Sequence, residues 1–272
     1  MAGQLRTGTA RVPALAALAL PVLAGAAFMA VGGAPSGYAA ANLAALVTAG
    51  LWVMFGRQPR SIFLVRSLAI VLVAMLFFPL VTGPQLNGIA RWVPIGAFNI
   101  HAGMLCVPAL RVLTSRDQAY AAPLLLTALL AALLQPDAAT GLALVFGAAG
   151  LHHVTRDWRV GVAAIAGFVA TLVMATRGEL PAQPFVERVL VDALSANLPL
   201  ALMMAAALLA GFLLILFAAP LARPARFACA GSLAGFVVMS IVSNYPTPLA
   251  GFGVSAILGY GFALGLVKRD IR

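Results

Sequence analysis

The residues of this sequence that are best suited to chemistry lie in four short polar segments, each of which interrupts long apolar runs. The segments cover residues 83–96, 135–140, 177–192 and 244–255. Polar side chains among apolar neighbours are costly unless they have partners or bind something. We therefore treat these four segments as the candidate parts of a binding or catalytic site.

The first polar segment carries a turn signal and a cation. Its Asn87-Gly88 pair favours a tight turn, Arg91 offers a planar fork that suits phosphate or carboxylate, and Trp92 suits a membrane interface. This combination favours a loop that binds a phosphate or carboxylate, with Asn87, Arg91 and Trp92 as candidate binding residues. The alternative is a loop that only anchors the chain at the interface.

The second polar segment places Gln135 and Asp137 where two apolar runs meet. Pro136 breaks the helix before it, and Asp137 can cap the free amide groups of the next helix. The same carboxylate can instead point at a cation or a substrate hydroxyl, which makes Gln135 and Asp137 further binding candidates. Both interpretations of Asp137 stay open from the sequence.

The elements that must position these residues are membrane-spanning helices. Of the 272 residues, 63% are hydrophobic and 9% are charged, with a mean hydropathy of +1.04, whereas soluble domains carry about 25% charged residues. The sequence predicts an all-α polytopic bundle of about ten transmembrane helices, with residues 1–272 as a single membrane domain. The predicted spans cover residues 12–31, 39–55, 64–82, 98–113, 119–134, 138–152, 160–176, 193–219, 227–244 and 250–267.

The first apolar run, residues 12–31, follows two arginines and precedes small residues, which is also the layout of a signal peptide. The run is long for the apolar part of a signal peptide, and a second span follows it closely. We therefore predict a retained first helix, with a cleaved signal as the alternative.

The net charge of +10 at pH 7 predicts membrane orientation rather than nucleic-acid binding, because the basic residues are scattered singly between apolar runs. With the N-terminus in the cytoplasm, 14 of the 17 Lys and Arg residues fall on the inner side. Arg91, Arg177 and Arg188 remain outside. This asymmetry predicts an N-in, C-in topology in which all four polar segments face outward and form one site.

The residue types that bind metals are poorly arranged for it. Cys106 and Cys229 lie inside apolar runs and give neither a metal spacing nor a disulfide framework. His152 and His153 are adjacent, so they point to different faces of a helix. We predict no metal site and no cofactor.

Three motifs occur in chain order: NGIARW at residues 87–92, LQPDAAT at 134–140 and PTPLAGFGVS at 246–255. They resemble the NGAxRW, QPDxGT and LPxxSYGGS motifs of the SEDS proteins (shape, elongation, division and sporulation), the FtsW/RodA/SpoVE group of peptidoglycan polymerases. The resemblance implies a ten-helix fold and a glycosyltransferase that uses lipid II. It also adds Ser255 to the candidate binding residues, and it implies that these residues bind the phosphate or sugar of a lipid.

The sequence departs from the family pattern where polymerisation chemistry is expected. Where the family has Gln-Pro-Ser-Glu and a later Lys, this chain has His-Ala-Gly-Met at residues 101–104 and Val107. The family's long external loop carries an Asp that the resemblance implies is essential, whereas the corresponding segment here is only residues 177–192. Asp192 at its end is the candidate catalytic base, or else it caps a helix that begins near Ala193.

Three functions are consistent with these observations. We rank first a divergent SEDS-like pseudoenzyme that lacks polymerase activity and is a binding or assembly subunit of a membrane complex. An active lipid II glycosyltransferase of cell division or cell-shape elongation ranks second, with Arg91 meeting pyrophosphate and Asp137 orienting a hydroxyl. A transporter ranks third, since few ionisable residues lie within the predicted spans.

The expected surroundings of the protein follow from the same reasoning. We expect a multi-pass protein of the bacterial inner membrane that contacts membrane lipids, an undecaprenyl-linked precursor and a membrane-protein partner. We expect no nucleic acid among its partners.

Overall fold

The chain folds into a bundle of α-helices interrupted by one small β-hairpin. A computed structural model describes residues 10–96 and 98–267. The hairpin consists of β1 (Trp92–Ile95) and β2 (Phe98–His101). A π-helical stretch, Leu214–Ala218, directly continues the helix Leu198–Leu213. The helices are α1 (Val12–Val31), α2 (Ser36–Phe55), α3 (Ile62–Thr82), α4 (Ala102–Thr114), α5 (Gln118–Leu134), α6 (Ala138–Thr155), α7 (Trp158–Ala175), α8 (Val189–Ala196), α9 (Leu198–Leu213), α10 (Arg223–Val242) and α11 (Val254–Gly265).

Seven helices in the described part of the chain are long and apolar enough to cross a membrane: α1, α2, α3, α6, α7, α10, and α9 together with its π-helical end. Three more, α4, α5 and α11, are apolar but have 17 residues or fewer. The predicted polytopic helical membrane protein is confirmed. Each of the ten predicted spans overlaps one of these helices, while ten crossings and the N-in, C-in topology stay predictions.

The largest difference from the predicted spans lies at residues 98–101. We expected a helix from residue 98, but this stretch is the second strand of the hairpin, and α4 begins at Ala102. Val93, Ile95 and Ile100 favour strands, and the left-handed backbone of Gly96 (φ 59°) suits the turn between them. The hairpin therefore shortens α4 to 13 residues.

Arg111, which the charge pattern counts on the inner side, lies within the predicted span of residues 98–113. The structure places it in the last turn of α4 and shows that its side chain is fully buried. This position is one of two in the described chain where a whole arginine side chain lies in the protein interior.

Helices α6 and α10 form the centre of the bundle and touch along their backbones. A methyl group at Gly150 would overlap the carbonyl of Phe227, and one at Gly231 would overlap the carbonyl of Phe146. Small residues at such crossings allow close helix packing in membranes. The two helices thereby fix the position of the loops that precede α6 and follow α10.

The four polar segments lie at one end of the bundle, which we call the site end, and we call the opposite end the far end. The third segment is held against the fourth by backbone hydrogen bonds. Thr247 N–H donates to Val186 O (3.0 Å), and Arg188 N–H donates to Tyr245 O (3.2 Å). The shortened segment between α7 and α8 is thus part of the site end.

Candidate functional site

The four polar segments meet through side chains at the site end. The guanidinium carbon of Arg91 lies 4.4 Å from the ring centre of Tyr245, and the Tyr245 hydroxyl accepts a hydrogen bond from the Ala138 N–H (3.1 Å). The backbone N–H of His101 donates to the Ser255 hydroxyl (2.9 Å). Together with the backbone pairing of the third segment against the fourth, these contacts bring the four segments together at the site end.

Arg91 lies where the tight turn leads into the hairpin. Asn87 and Gly88 have left-handed backbones (φ 54° and 76°), and Leu86 and Ile89 pair across them. The chain then passes through Arg91 into β1, and the Ala102 N–H donates back to the Arg91 carbonyl (3.3 Å). The hairpin thus places Arg91 beside the start of α4.

The Arg91 side chain is buried and forms no direct ion pair with a described residue. It is 1% exposed, and its Nε and Nη1 atoms have no hydrogen-bond partner among the described residues. No carboxylate in that part of the chain lies within 4.0 Å of it. Because a guanidinium keeps its charge in proteins, these unpaired donors are able to bind an anion.

His101 lies at the other end of the hairpin, opposite Trp92 in the strand register. Its Nδ1 accepts a hydrogen bond from the Met104 N–H (3.3 Å) and so caps α4. In the neutral ring the proton is therefore on Nε2. This buried Nε2 lies 3.6 Å from Asp137 Oδ2, and the Trp92 ring meets the imidazole edge-on at 4.9 Å.

Asp137 caps α6, as one of its two interpretations predicted. Its Oδ1 accepts a hydrogen bond from the Thr140 N–H (3.1 Å), and its Oδ2 accepts one from the Thr140 hydroxyl (2.6 Å). A methyl group at Gly103 would overlap that same hydroxyl, so α4 and α6 meet closely at this point. The His101 and Asp137 side chains therefore form a rigid pair beside Arg91.

Two glutamates of the third segment were not singled out by the sequence. Glu187 is 4% exposed, and its Oε2 accepts a hydrogen bond from the Gln183 N–H (2.7 Å). Burial raises the pKa of Glu187, which that hydrogen bond and the charge of Arg91 oppose. Glu179 is exposed, and hydrogen bonds from the Ser243 hydroxyl and the Asn244 N–H, 2.6 Å each, lower its pKa.

An apolar groove leads from the bundle to the hairpin. It consists of two adjoining cavities of about 360 and 210 Å³ that share Met75 and Leu105. The larger lies between α2, α3, α4 and α11, and the smaller reaches Val93 and Ile100 of the hairpin. The two cavities thus provide apolar surface that extends from the helices to the hairpin.

The arrangement of helices and polar segments matches solved structures. The crystal structure of the rod shape determining protein RodA from Thermus thermophilus aligns with a TM-score of 0.66 and 22% identity, over 92% of this chain and 93% of RodA. This chain has the RodA fold. The SEDS-like architecture that its motifs predicted is thereby confirmed.

Two further structures with the RodA-like fold align equally well. A crystal structure of an aspartate-to-alanine mutant of Thermus thermophilus RodA gives a TM-score of 0.67 and 21% identity over 94% of each chain. A chain from a structure on the coordination of polymerization and crosslinking by a peptidoglycan synthase complex gives 0.64 and 20%, over 91% of this chain and 94% of that one. No protein-family model and no curated protein sequence matches this chain.

Within the RodA-like fold, the predicted site residues fall into two groups. Arg91, Trp92, Asp137 and Ser255 belong to the buried cluster described above. The remaining candidates serve other contacts or face outward. The Gln135 amide donates to the Leu76 carbonyl of α3, Asn87 is exposed on the tight turn, and Asp192 is exposed on α8.

The expectation that Asp192 caps a helix beginning near Ala193 is wrong. The helix α8 begins at Val189, because the chain turns at Arg188 with a left-handed backbone (φ 53°). Asp192 therefore lies in the first turn of α8, with its side chain exposed. The buried carboxylate of the third segment is Glu187.

Proposed function

We propose that this protein is a divergent SEDS-like subunit that binds a lipid-linked diphosphate precursor in the bacterial inner membrane without polymerising it. The unpaired, buried guanidinium of Arg91 is the observation that carries this proposal. A buried charge without a partner is strongly destabilising unless a ligand compensates it. A planar fork with free donors suits the paired oxygens of a phosphate group.

The apolar groove supports a lipid as the carrier of that phosphate. Its walls run from α2 and α11 to Ile100 in the hairpin. The hairpin ends at His101, and the next residue, Ala102, begins α4 and donates its N–H to the Arg91 carbonyl. A ligand with an anionic head and a long apolar tail, such as an undecaprenyl-linked sugar, has the two properties that this arrangement selects.

The positions of the carboxylates favour binding over polymerisation. A general base must reach the proton it removes. Both oxygens of Asp137 accept hydrogen bonds from Thr140, and Asp192 is exposed on α8 outside the buried cluster. Neither of the acids that the sequence singled out is therefore placed as a free base.

A membrane-protein partner completes the proposal. One structure with the same fold comes from a peptidoglycan synthase complex, and a binding subunit needs a catalytic partner to use its ligand. We expect the protein to co-purify in mild detergent with a stoichiometric membrane protein, and a clean monomer would count against the assembly role.

Binding of purified lipid II to the protein in nanodiscs tests the proposal directly. Arg91→Gln should weaken binding about 10- to 100-fold, the range for losing charge-assisted hydrogen bonds. Arg177→Gln is the matched control, because Arg177 is an exposed arginine at the same end, and it should bind like the wild type. Equal losses in the two variants, or no loss in Arg91→Gln, would contradict the proposal.

A second function, an active lipid II glycosyltransferase, is favoured by Glu187. It is buried, burial raises its pKa, and Arg91 is near enough to oppose that rise. A carboxylate of this kind suits a general base. If glycan strands form with the wild type, persist in Asp192→Asn and are lost in Glu187→Gln, the result would support this function and contradict the proposed binding subunit.

A further inference from the structure

Arg111 is the second buried arginine and lies far from the site already described. It follows Ala102, the first residue of α4, by nine positions, which places it about 13 Å further along the helix axis at the usual rise per residue. The proposed lipid diphosphate contacts Arg91, before the hairpin, so Arg111 has no part in that site.

The surroundings of Arg111 leave its charge uncompensated. Its side chain is 0% exposed, and Nε, Nη1 and Nη2 all lack a hydrogen-bond partner among residues 10–96 and 98–267. The ion pairs found in those ranges involve other residues. A guanidinium cannot shed its proton to escape this situation, and an isolated charge in a membrane interior marks a binding site by default.

The Arg111 side chain is packed closely between three helices. Gly147 of α6 faces the guanidinium, and a methyl group there would lie 2.9 Å from Arg111 Nε and 3.0 Å from the Ala228 carbonyl of α10. The absence of a side chain at Gly147 gives the guanidinium its room between α4, α6 and α10. A lipid headgroup does not reach a side chain that is buried on all sides.

We propose that the centre of the bundle holds a small inorganic anion of halide size beside Arg111, between α4, α6 and α10. The anion supplies the negative charge that the described chain lacks at this position. It is bound independently of the lipid-linked ligand, and it stabilises the helix packing rather than taking part in chemistry.

The test measures unfolding midpoints of the full-length protein in detergent, in sodium bromide and in sodium gluconate, whose anion is much larger than a halide. All measurements use Arg91→Gln as the background, which removes the other buried unpaired guanidinium. Bromide should raise the midpoint by about 5 °C in this background, as expected for a ligand that binds only the folded state. Anomalous scattering from bromide in crystals should show a peak beside Arg111.

Two added substitutions locate the effect. Arg111→Gln removes the charge, and Gly147→Ala pushes a methyl group against the guanidinium while leaving the charge in place. Each should abolish or halve the bromide shift, and Gly147→Ala decides alone if Arg111→Gln does not fold. No bromide shift in the Arg91→Gln background, or an unchanged shift in Gly147→Ala, would overturn the anion site, and neither result bears on lipid binding by Arg91.

Discussion

Arginines at the two ends of the bundle are treated differently by the fold. At the far end, Arg11 donates to the carbonyls of Val53 (2.6 Å) and Gly56 (3.0 Å), and Arg66 pairs with Asp117 at 3.0 Å. At the site end, Arg91 is more deeply buried and has two nitrogens without partners. Arg11 and Arg66 thus join helices at the far end, whereas Arg91 at the site end has donors that are free for a ligand.

A substitution that disturbs the packing of the site end should have the largest effect on stability. Gly103→Ala places a methyl group onto the Thr140 hydroxyl and should lower the free energy of unfolding by about 2–3 kcal/mol through overpacking. Gly50→Ala is the matched control, since its nearest neighbour, a Leu15 methyl, is 3.6 Å from the new group, and it should be neutral or slightly stabilising. Chemical unfolding in detergent measures both, and equal effects would contradict the close contact.

Removing the charge of Arg91 tests the difference between the arginines at the two ends of the bundle. Arg91→Met replaces an uncompensated buried charge by an apolar side chain, which should raise the free energy of unfolding of the ligand-free protein by about 1–3 kcal/mol. Lipid II binding should be lost in the same variant. Arg66→Met at the far end should instead lower stability, and a loss of stability in both variants would remove the distinction between the two ends.

The two glutamates of the third segment should give opposite pH dependences. Burial raises the pKa of Glu187 above its usual 4.5, so its folded state holds the proton more tightly and stability should fall as pH rises from about 4.5 through the raised pKa. Hydrogen bonds from Ser243 and Asn244 lower the pKa of Glu179, so its contribution is present above about pH 4.5 and is lost as pH falls through the lowered pKa.

Unfolding midpoints measured between about pH 3 and pH 7 separate these two contributions. Glu187→Gln should remove the loss of stability on the high-pH side, whereas Glu179→Gln should remove the loss on the low-pH side. Identical pH profiles for the two variants would show that Glu187 is not buried as described.

The far-end ion pair gives the smallest expected effect. Asp117→Asn removes the partner of Arg66, whose side chain is 34% exposed, and should cost at most about 1 kcal/mol at low salt. That cost should become smaller near 1 M salt, because salt screens the partly exposed Arg66, but part of it should remain because the Asp117 side chain is only 9% exposed. A loss of stability that does not change with salt would mean that the pair is shielded from solvent more completely than its exposure indicates.

The sequence was most informative where local chemistry decides the structure. Apolar runs predicted the helices, the Asn87-Gly88 pair predicted the tight turn, and Asp137 was recognised as a potential cap. Each depends on residues that are neighbours along the chain. The motifs around Arg91, Asp137 and Ser255 also predicted the RodA-like fold.

The sequence was least informative where distant residues decide it. His101 looked like the loss of a family motif, yet its role comes from Asp137 and Ser255, which belong to other segments. The charge pattern counted Arg111 among the inner-side residues near the end of its predicted span, and its complete burial depends on packing against Gly147. Glu187 carried no local signal, since its burial comes from pairing with residues 245–247.

The β-hairpin has a consequence for how the site tolerates change. Arg91 precedes its first strand and His101 ends its second, with Trp92 opposite His101 in the ladder. The hydrogen bonds between the two strands therefore set the distance between Arg91 and His101. A peptide tag spliced after the exposed Gly96 would lengthen the tip and leave that spacing intact, whereas one residue added within β1 would turn its side chains to the opposite face.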